Sequence, residues 1–393
     1  MRTYDKAFFD RGIERRGTAC EKWDGIARRV GSDVLPMWVA DMDIPCPDEV
    51  MEAIRKRAEH PVFGYTDYEQ QCADALLGFL ARRHGLVLKA EDHAMLPCVI
   101  TGLKTAVRTL TQPCDGVIVQ PPVYGPFYSS VRDNDRRLME CPLQRDARGR
   151  YTMDLAAVEQ ALKNGAKLML LCNPHNPVGR VWSREELEAL WQLLSRYGCA
   201  LVSDEIHMDF ALGEIPFTSI LSVAAGENDR VAALTSGSKT FNLAGLQQAA
   251  LLCRNPELLA AMKKQLSAAG VTQGNVFAMV ASEAAHRYGD RWLDGLLAYL
   301  REAFALLKSE LAERLPEAVL TPLEATYLAW IDLRAYGFTP EELVKRTNEH
   351  GVFFTEGTFF GQETGAGFLR INLACPHSQT LEAVKRLEAA IKA

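Results

Sequence analysis

The run Ala232-Ala233-Leu234-Thr235-Ser236-Gly237-Ser238-Lys239-Thr240-Phe241-Asn242-Leu243-Ala244-Gly245 decides how this chain is read. It starts as an apolar strand, breaks into small residues at Ser236 to Ser238, and meets a lysine at once. Small neighbours leave the Lys239 amine open to a flat ligand, and the hydroxyls of Ser236 and Ser238 can hold a phosphate beside it. A Ser/Gly corner equally suits a solvated surface lysine, so the run acquires meaning only from its surroundings.

Upstream, the pattern strand, loop, helix repeats. Val117-Ile118-Val119-Gln120 reads as a buried strand, ended by the stiff loop Pro121-Pro122-Val123-Tyr124-Gly125-Pro126, which fixes Tyr124. Lys167 to Cys172 reads as the next strand, leading into Asn173-Pro174-His175-Asn176-Pro177, where two Asn-Pro steps hold Asn176 in place. Ser183 and Glu186 have capping-box spacing at the start of the following helix. Cys199 to Ser203 reads as a strand running into Asp204-Glu205-Ile206-His207, which suits a catalytic site, a metal site or a capped loop. Met95 to Ile100 reads as a strand that enters a helix through Gly102, a geometry shared by anion sites and plain turns. Downstream, Ala249 to Cys253 is one more strand.

Strands and helices thus alternate from about 50 to 260, which predicts an α/β fold with a mostly parallel sheet covered by helices on both faces. Tyr124, Asn176, Asp204 and Lys239 each follow a strand, so they converge at one sheet edge, where open α/β sheets hold ligands. Residues 1–45 read as irregular and extended, Asp48 as the cap of a helix to Ala58 with Val50, Ile54 and Ala58 on one face, and 68–84 as another helix. Apolar spacing over 292–315 predicts a long helix joining two domains. Beyond it, strands at 327–331 and 367–373 and helices at 340–350 and 378–392 make a smaller α+β domain. The expected division is 1–45 joining the small domain, 46–287 as the large domain and 288–393 as the small one. The loop Phe353 to Phe360 either lines a pocket or packs.

A net charge of -6, from 44 basic and 50 acidic residues in scattered positions, argues against a nucleic-acid partner. No apolar run spans a bilayer, no metal-ligand spacing stands out, the first residues are polar, and ten cysteines sit singly without a C-x-x-C pair. The expected location is therefore the reducing cytoplasm.

Asn173-Pro-His-Asn-Pro-Val-Gly179, Ser203-Asp-Glu-Ile-His207 and Ser236-Gly-Ser-Lys-Thr-Phe-Asn242, in that order, resemble the fold-type I pyridoxal 5'-phosphate (PLP) enzymes of the class I/II aminotransferase superfamily. Lys22-Trp23-Asp24, Trp38-Val-Ala-Asp-Met-Asp43, Phe63-Gly-Tyr-Thr66 and Lys239-Thr-Phe-Asn-Leu243 narrow the likeness to the MalY/PatB-type cystathionine β-lyases. The resemblance implies a role for each matching position. Lys239 is the Schiff-base lysine and, with Tyr124 stacking on the cofactor, a catalytic side chain. Asp204 lies by the pyridine nitrogen and Asn176 by the ring hydroxyl and substrate, with His207 where many aminotransferases carry a tyrosine. Gly102, Leu103, Lys104, Ser236 and Ser238 are phosphate contacts, and Arg370 clamps the substrate carboxylate. Tyr65, on its own merits a turn aromatic, is implied to reach the neighbouring active site of a homodimer. Gln247 stands where many relatives place a phosphate-binding arginine, so Lys104 is expected to compensate. The implied reaction is β-elimination from cystathionine or a related S-substituted cysteine. Transamination, and a regulatory binding role on the same fold, are the alternatives.

Overall fold

The structure is a computed structural model that describes residues 3–67 and 69–393. Its centre is a seven-stranded sheet: β1 (His93–Leu96), β2 (Gly116–Val119), β3 (Arg137–Glu140), β4 (Ala166–Cys172), β5 (Ala200–Asp204), β6 (Val231–Thr235) and β7 (Ala249–Leu252). Their order across the sheet is β1-β7-β6-β5-β4-β2-β3. Neighbours from β6 to β3 pair in parallel, and β7 alone runs opposite to both of its neighbours. The parallel strands are apolar nearly throughout because both faces are covered. Along β4 the side chains alternate: Leu168 and Leu170 join one core with Leu103, Val107, Leu258 and Met262 of the helices Val99–Leu110 and Pro256–Ala268. Met169 and Leu171 join another with Val158, Leu187, Leu190 and Leu194 of the helices Leu155–Lys163 and Arg184–Arg196. Each such leucine contributes about 1.5–3 kcal/mol by leaving water.

The capping box forms as the spacing predicts, with the Ser183 side chain on the Glu186 amide and the Glu186 side chain on the Ser183 amide. At the helix Asp48–Ala58 the expectation is corrected: Pro47 stands at the cap and Asp48 is the first helical residue, its charge aligned with the helix dipole. Val50 is buried there, but Ala58 is exposed. The expected helix at 68–84 is observed as Glu69–His84, and Tyr68 lies outside the described residues.

The C-terminal part holds the long helix Asp290–Arg314 and a four-stranded antiparallel sheet that includes Leu328–Asp332, Thr355–Glu356 and Phe368–Asn372. Against this sheet and its helices Pro340–Glu349 and His377–Lys392 lies the N-terminal segment, whose Leu35–Pro36 pairs in parallel with Val352–Phe353. That segment is less irregular than the sequence suggests. It forms short helices at Lys6–Asp10, Glu21–Gly25 and Ile26–Val30, the first capped by Asp5. Among the described residues no helix is long and apolar enough to cross a membrane.

Candidate active site

β2, β4, β5 and β6 run in the same direction, so the residues after them meet at one edge of the sheet. There a cavity of roughly 570 Å³ is lined by Tyr124, Asn176, Asp204, His207, Ser238, Lys239 and Arg370. Seven side chains singled out from sequence are thus brought together, six from the large sheet and Arg370 from the strand Phe368–Asn372.

Lys239 sits in the short helix Gly237–Thr240, whose N-cap Ser236 accepts from the Ser238 amide. Its Nζ donates to the Ala40 carbonyl at 2.5 Å, and burial lowers its pKa to about 8. Asp204 ends β5 and accepts from the Ile206 amide at 3.1 Å; burial raises its pKa to about 7. His207 is buried and pushed down to about 3, so its imidazole is neutral. Arg370 is 3% exposed and lowered by burial to about 10. It donates through Nη1 to Asn176 Oδ1 at 3.1 Å and through Nη2 to the Trp38 carbonyl at 2.8 Å and Thr355 Oγ1 at 3.2 Å. Its Nε and the Nδ1 of His207 are buried without a protein partner.

The helix after β1 starts ahead of the expected phosphate contacts Gly102, Leu103 and Lys104. The helix begins at Val99, directly after Cys98, and Pro97, Cys98, Val99 and Ile100 line the cavity. The free amides of a helix belong to its first turn, so they precede Gly102, Leu103 and Lys104. Gly102 has a packing reason instead: a Cβ there would meet Leu234 Cδ2 at 2.6 Å and Leu96 Cδ1 at 2.8 Å. Leu103 is fully buried in the core. The Lys104 ammonium pairs with Asp133 at 2.6 Å and does not line the cavity, whereas Gln247 does. The Ser236 hydroxyl also turns away, donating to the Gln248 carbonyl at 2.6 Å. Tyr65 is 95% exposed and outside this cavity. Loop residues Phe353, Phe354, Thr355, Glu356 and Phe359 line the pocket, which settles the two readings of that loop. No group of three or more potential metal ligands occurs among the described residues.

Sequence reasoning flagged Trp38 to Asp43 without giving it a task. It is a strap over the cavity, hung by consecutive carbonyls. Trp38 O accepts from Arg370, Val39 O from Asn372 Nδ2 at 2.6 Å, Ala40 O from Lys239 and from the Tyr327 hydroxyl at 3.0 Å, and Asp41 O from Asn372 Nδ2 at 2.6 Å. Beneath it lies a buried charge cluster. Lys22 Nζ is 2.9 Å from Asp43 Oδ2, and neither side chain is exposed. Asp43 Oδ1 accepts from Trp23 Nε1 at 2.9 Å and Arg15 Nη1 at 2.8 Å, while Arg15 also forks onto Asp41 at 2.9 and 2.7 Å. Burial pushes the Asp43 carboxyl up, but Lys22, Trp23 and Arg15 together outweigh it and hold its pKa below the ordinary value.

A buried amine, a carboxylate and an arginine at the switch edge of a helix-covered sheet define a fold-type I enzyme scaffold, and the family described as aminotransferase class I and II matches residues 32–387. The chain belongs to that family. Cystathionine beta-lyase PatB of Bacillus subtilis (strain 168) is 39% identical over 387 residues, covering 98% of this chain and 99% of its own. Protein MalY of Escherichia coli (strain K12) is 34% identical over 390 residues, covering 98% and 99%. Among solved structures, cystalysin from Treponema denticola, which contains a pyridoxal 5'-phosphate cofactor, matches with a TM-score of 0.93 at 31% identity over 98% of each chain. A PLP-bound C-S lyase from Staphylococcus hominis matches with a TM-score of 0.90 at 30% identity, also over 98% of each.

Proposed function

We propose that this protein is a PLP-dependent carbon-sulfur β-lyase that splits L-cystathionine or a related S-substituted cysteine into a thiol, pyruvate and ammonia. The observation that carries this reading is the meeting of Lys239, Asp204, Asn176 and Arg370 in one cavity, in a chain related over nearly its whole length to a cystathionine beta-lyase.

The residues present fit the cofactor. The Lys239 amine suits its aldehyde, the Asp204 carboxylate its ring nitrogen, and the first-turn amides at Val99 and Ile100, with the Ser238 hydroxyl, its phosphate. Asn176 and His207, which line the cavity, would meet the ring hydroxyl, and Tyr124 the ring face. The unpartnered Arg370 Nε and His207 Nδ1 are in the state expected of groups that meet a ligand. When bound, PLP supplies an electron-withdrawing ring that lets a substrate's α-carbon give up its proton.

The chain's own groups do the rest. Arg370 receives the α-carboxylate, its remaining donors on Nε and Nη1 directed by the anchors on Asn176, Trp38 and Thr355. Lys239 Nζ, lowered by burial to a pKa of about 8, is neutral far more often at neutral pH than an ordinary lysine and accepts the Cα proton. Asp204, which burial holds near a pKa of about 7 against the Ile206 amide and Lys239, favours its anion once a protonated ring nitrogen lies beside it. The Cβ–S bond then breaks with its electron pair on sulfur, a good leaving group because thiols ionise near about 8.5. The thiolate takes a proton, and water converts the remaining three-carbon amine to pyruvate and ammonia.

Purified holoenzyme is expected to release pyruvate from L-cystathionine with no 2-oxo acid added, and Lys239→Ala to release none. Strict dependence on an added 2-oxo acid would make it an aminotransferase instead. We further assign a homodimer in which Tyr65 serves the neighbouring site. Its 95% exposure beside exposed Val62 and Phe63 supports this, and sedimentation of the wild type as a monomer would refute it. The division at 45 and 287 is kept on the same footing, supported by the pairing of Leu35–Pro36 with Val352–Phe353. Ten free cysteines favour a cytoplasmic location.

A further inference from the structure

Four charged side chains line the cavity: Lys239, Asp204, Arg370 and Glu356. The reaction above uses the first three and leaves Glu356 without a task. It stands on the strand Thr355–Glu356, paired opposite Leu369, one residue from the Thr355 that Arg370 touches. It is half-buried and lines the same cavity as Trp38, Phe353 and Phe359. Its Oε1 accepts from the Thr358 hydroxyl at 2.7 Å, and no described Lys, Arg or His forms an ion pair with it within 4.0 Å. A half-buried cavity carboxylate with no cation beside it can receive one from a ligand.

The sign of the charge narrows what that ligand group is. Arg370 takes the substrate's α-carboxylate, and a second anion beside Glu356 would be repelled. The substrate's α-amine is consumed at the cofactor. The remaining place for a cation on an L-cysteine derivative is the substituent on sulfur.

Resting on the β-lyase reading, we propose that Glu356 is a specificity-determining residue that receives an ammonium carried on the leaving-group side of the substrate. The enzyme then favours thioethers and disulfides whose sulfur substituent ends in an ammonium over S-alkylcysteines.

The test compares kcat/KM for pyruvate release by the holoenzyme from S-(2-aminoethyl)-L-cysteine and S-propyl-L-cysteine, which differ in the terminal ammonium. One charge-assisted hydrogen bond predicts that the wild type prefers the aminoethyl substrate by roughly tenfold. Glu356→Gln keeps the volume and the acceptor for Thr358, and is expected to bring the ratio within about twofold of unity with the S-propyl rate unchanged. Glu356→Lys is expected to turn the preference toward S-(2-carboxyethyl)-L-cysteine. A ratio unchanged in Glu356→Gln, an equal loss on both substrates, or a wild type without preference overturns the proposal while leaving the lyase reading intact. A wild type that forms pyruvate from neither compound overturns both.

Discussion

Replacing Asp43 by leucine removes the centre of the charge cluster beneath the strap. Lys22, with no exposed side-chain surface, loses the carboxylate at 2.9 Å and keeps only Asp41 Oδ1 at 3.9 Å and the Asp41 carbonyl at 3.4 Å. Breaking a buried pair from one side leaves an uncompensated charge, at a cost of about 3–5 kcal/mol. Adding Lys22→Met takes that charge away. What remains is the Trp23 N–H, unpaired at a cost of about 1–3 kcal/mol, while Arg15 keeps its fork on Asp41. The double variant is therefore expected to be more stable than Asp43→Leu alone by about 2 kcal/mol. Urea titration of the cofactor-free proteins, followed by tryptophan fluorescence, measures the difference. The sign with pH is fixed as well. The folded pKa of Asp43 lies below the ordinary value of about 3.9, so its stabilisation is complete at neutral pH and is lost as pH falls below that value. A double variant as unstable as the single one, or less stable, would refute the account of the cluster as a coupled buried pair.

Arg370→Lys keeps a charge but loses the planar fork that spans Asn176 and Trp38, so KM for cystathionine should rise at least about tenfold with the cofactor's absorption band unchanged. Lys104→Met should leave PLP affinity within about twofold, since its ammonium is engaged by Asp133 outside the cavity; a larger loss would return it to the phosphate site. The Lys239 amine should lose its proton as pH rises through about 8, so borohydride trapping of PLP on the cofactor-free protein should accelerate over that range and level off above it. A midpoint near the ordinary lysine value of about 10.4 would show that burial does not act on this amine.

The chemistry-bearing side chains at the sheet edge were legible because each follows an apolar run, and parallel strands bring their carboxyl ends together. Arg370, on a distant strand, came only through resemblance. The helix start at Cys98 was not legible because a glycine is a louder signal than a cap where no Ser, Thr, Asp or Asn stands. Gly102 serves close packing against Leu234 and Leu96, a requirement that depends on the sheet and leaves no local pattern. The N-terminal segment hid its helices because they are one turn long and gain stability from tertiary contact rather than propensity. Charged residues such as Lys22, Asp41 and Asp43 are usually solvated, so their burial could not be read without the partners that neutralise them.

The hanging of the strap sets a rule for vectorial synthesis. Val39 and Asp41 bond Asn372 across 333 and 331 positions, and Trp38 bonds Arg370 across 332. A ribosome making this chain releases the strap long before its hooks. Once Lys239 is made the nascent protein carries both its lysine and its acid, but the strap lacks these hooks until Arg370 and Asn372 follow.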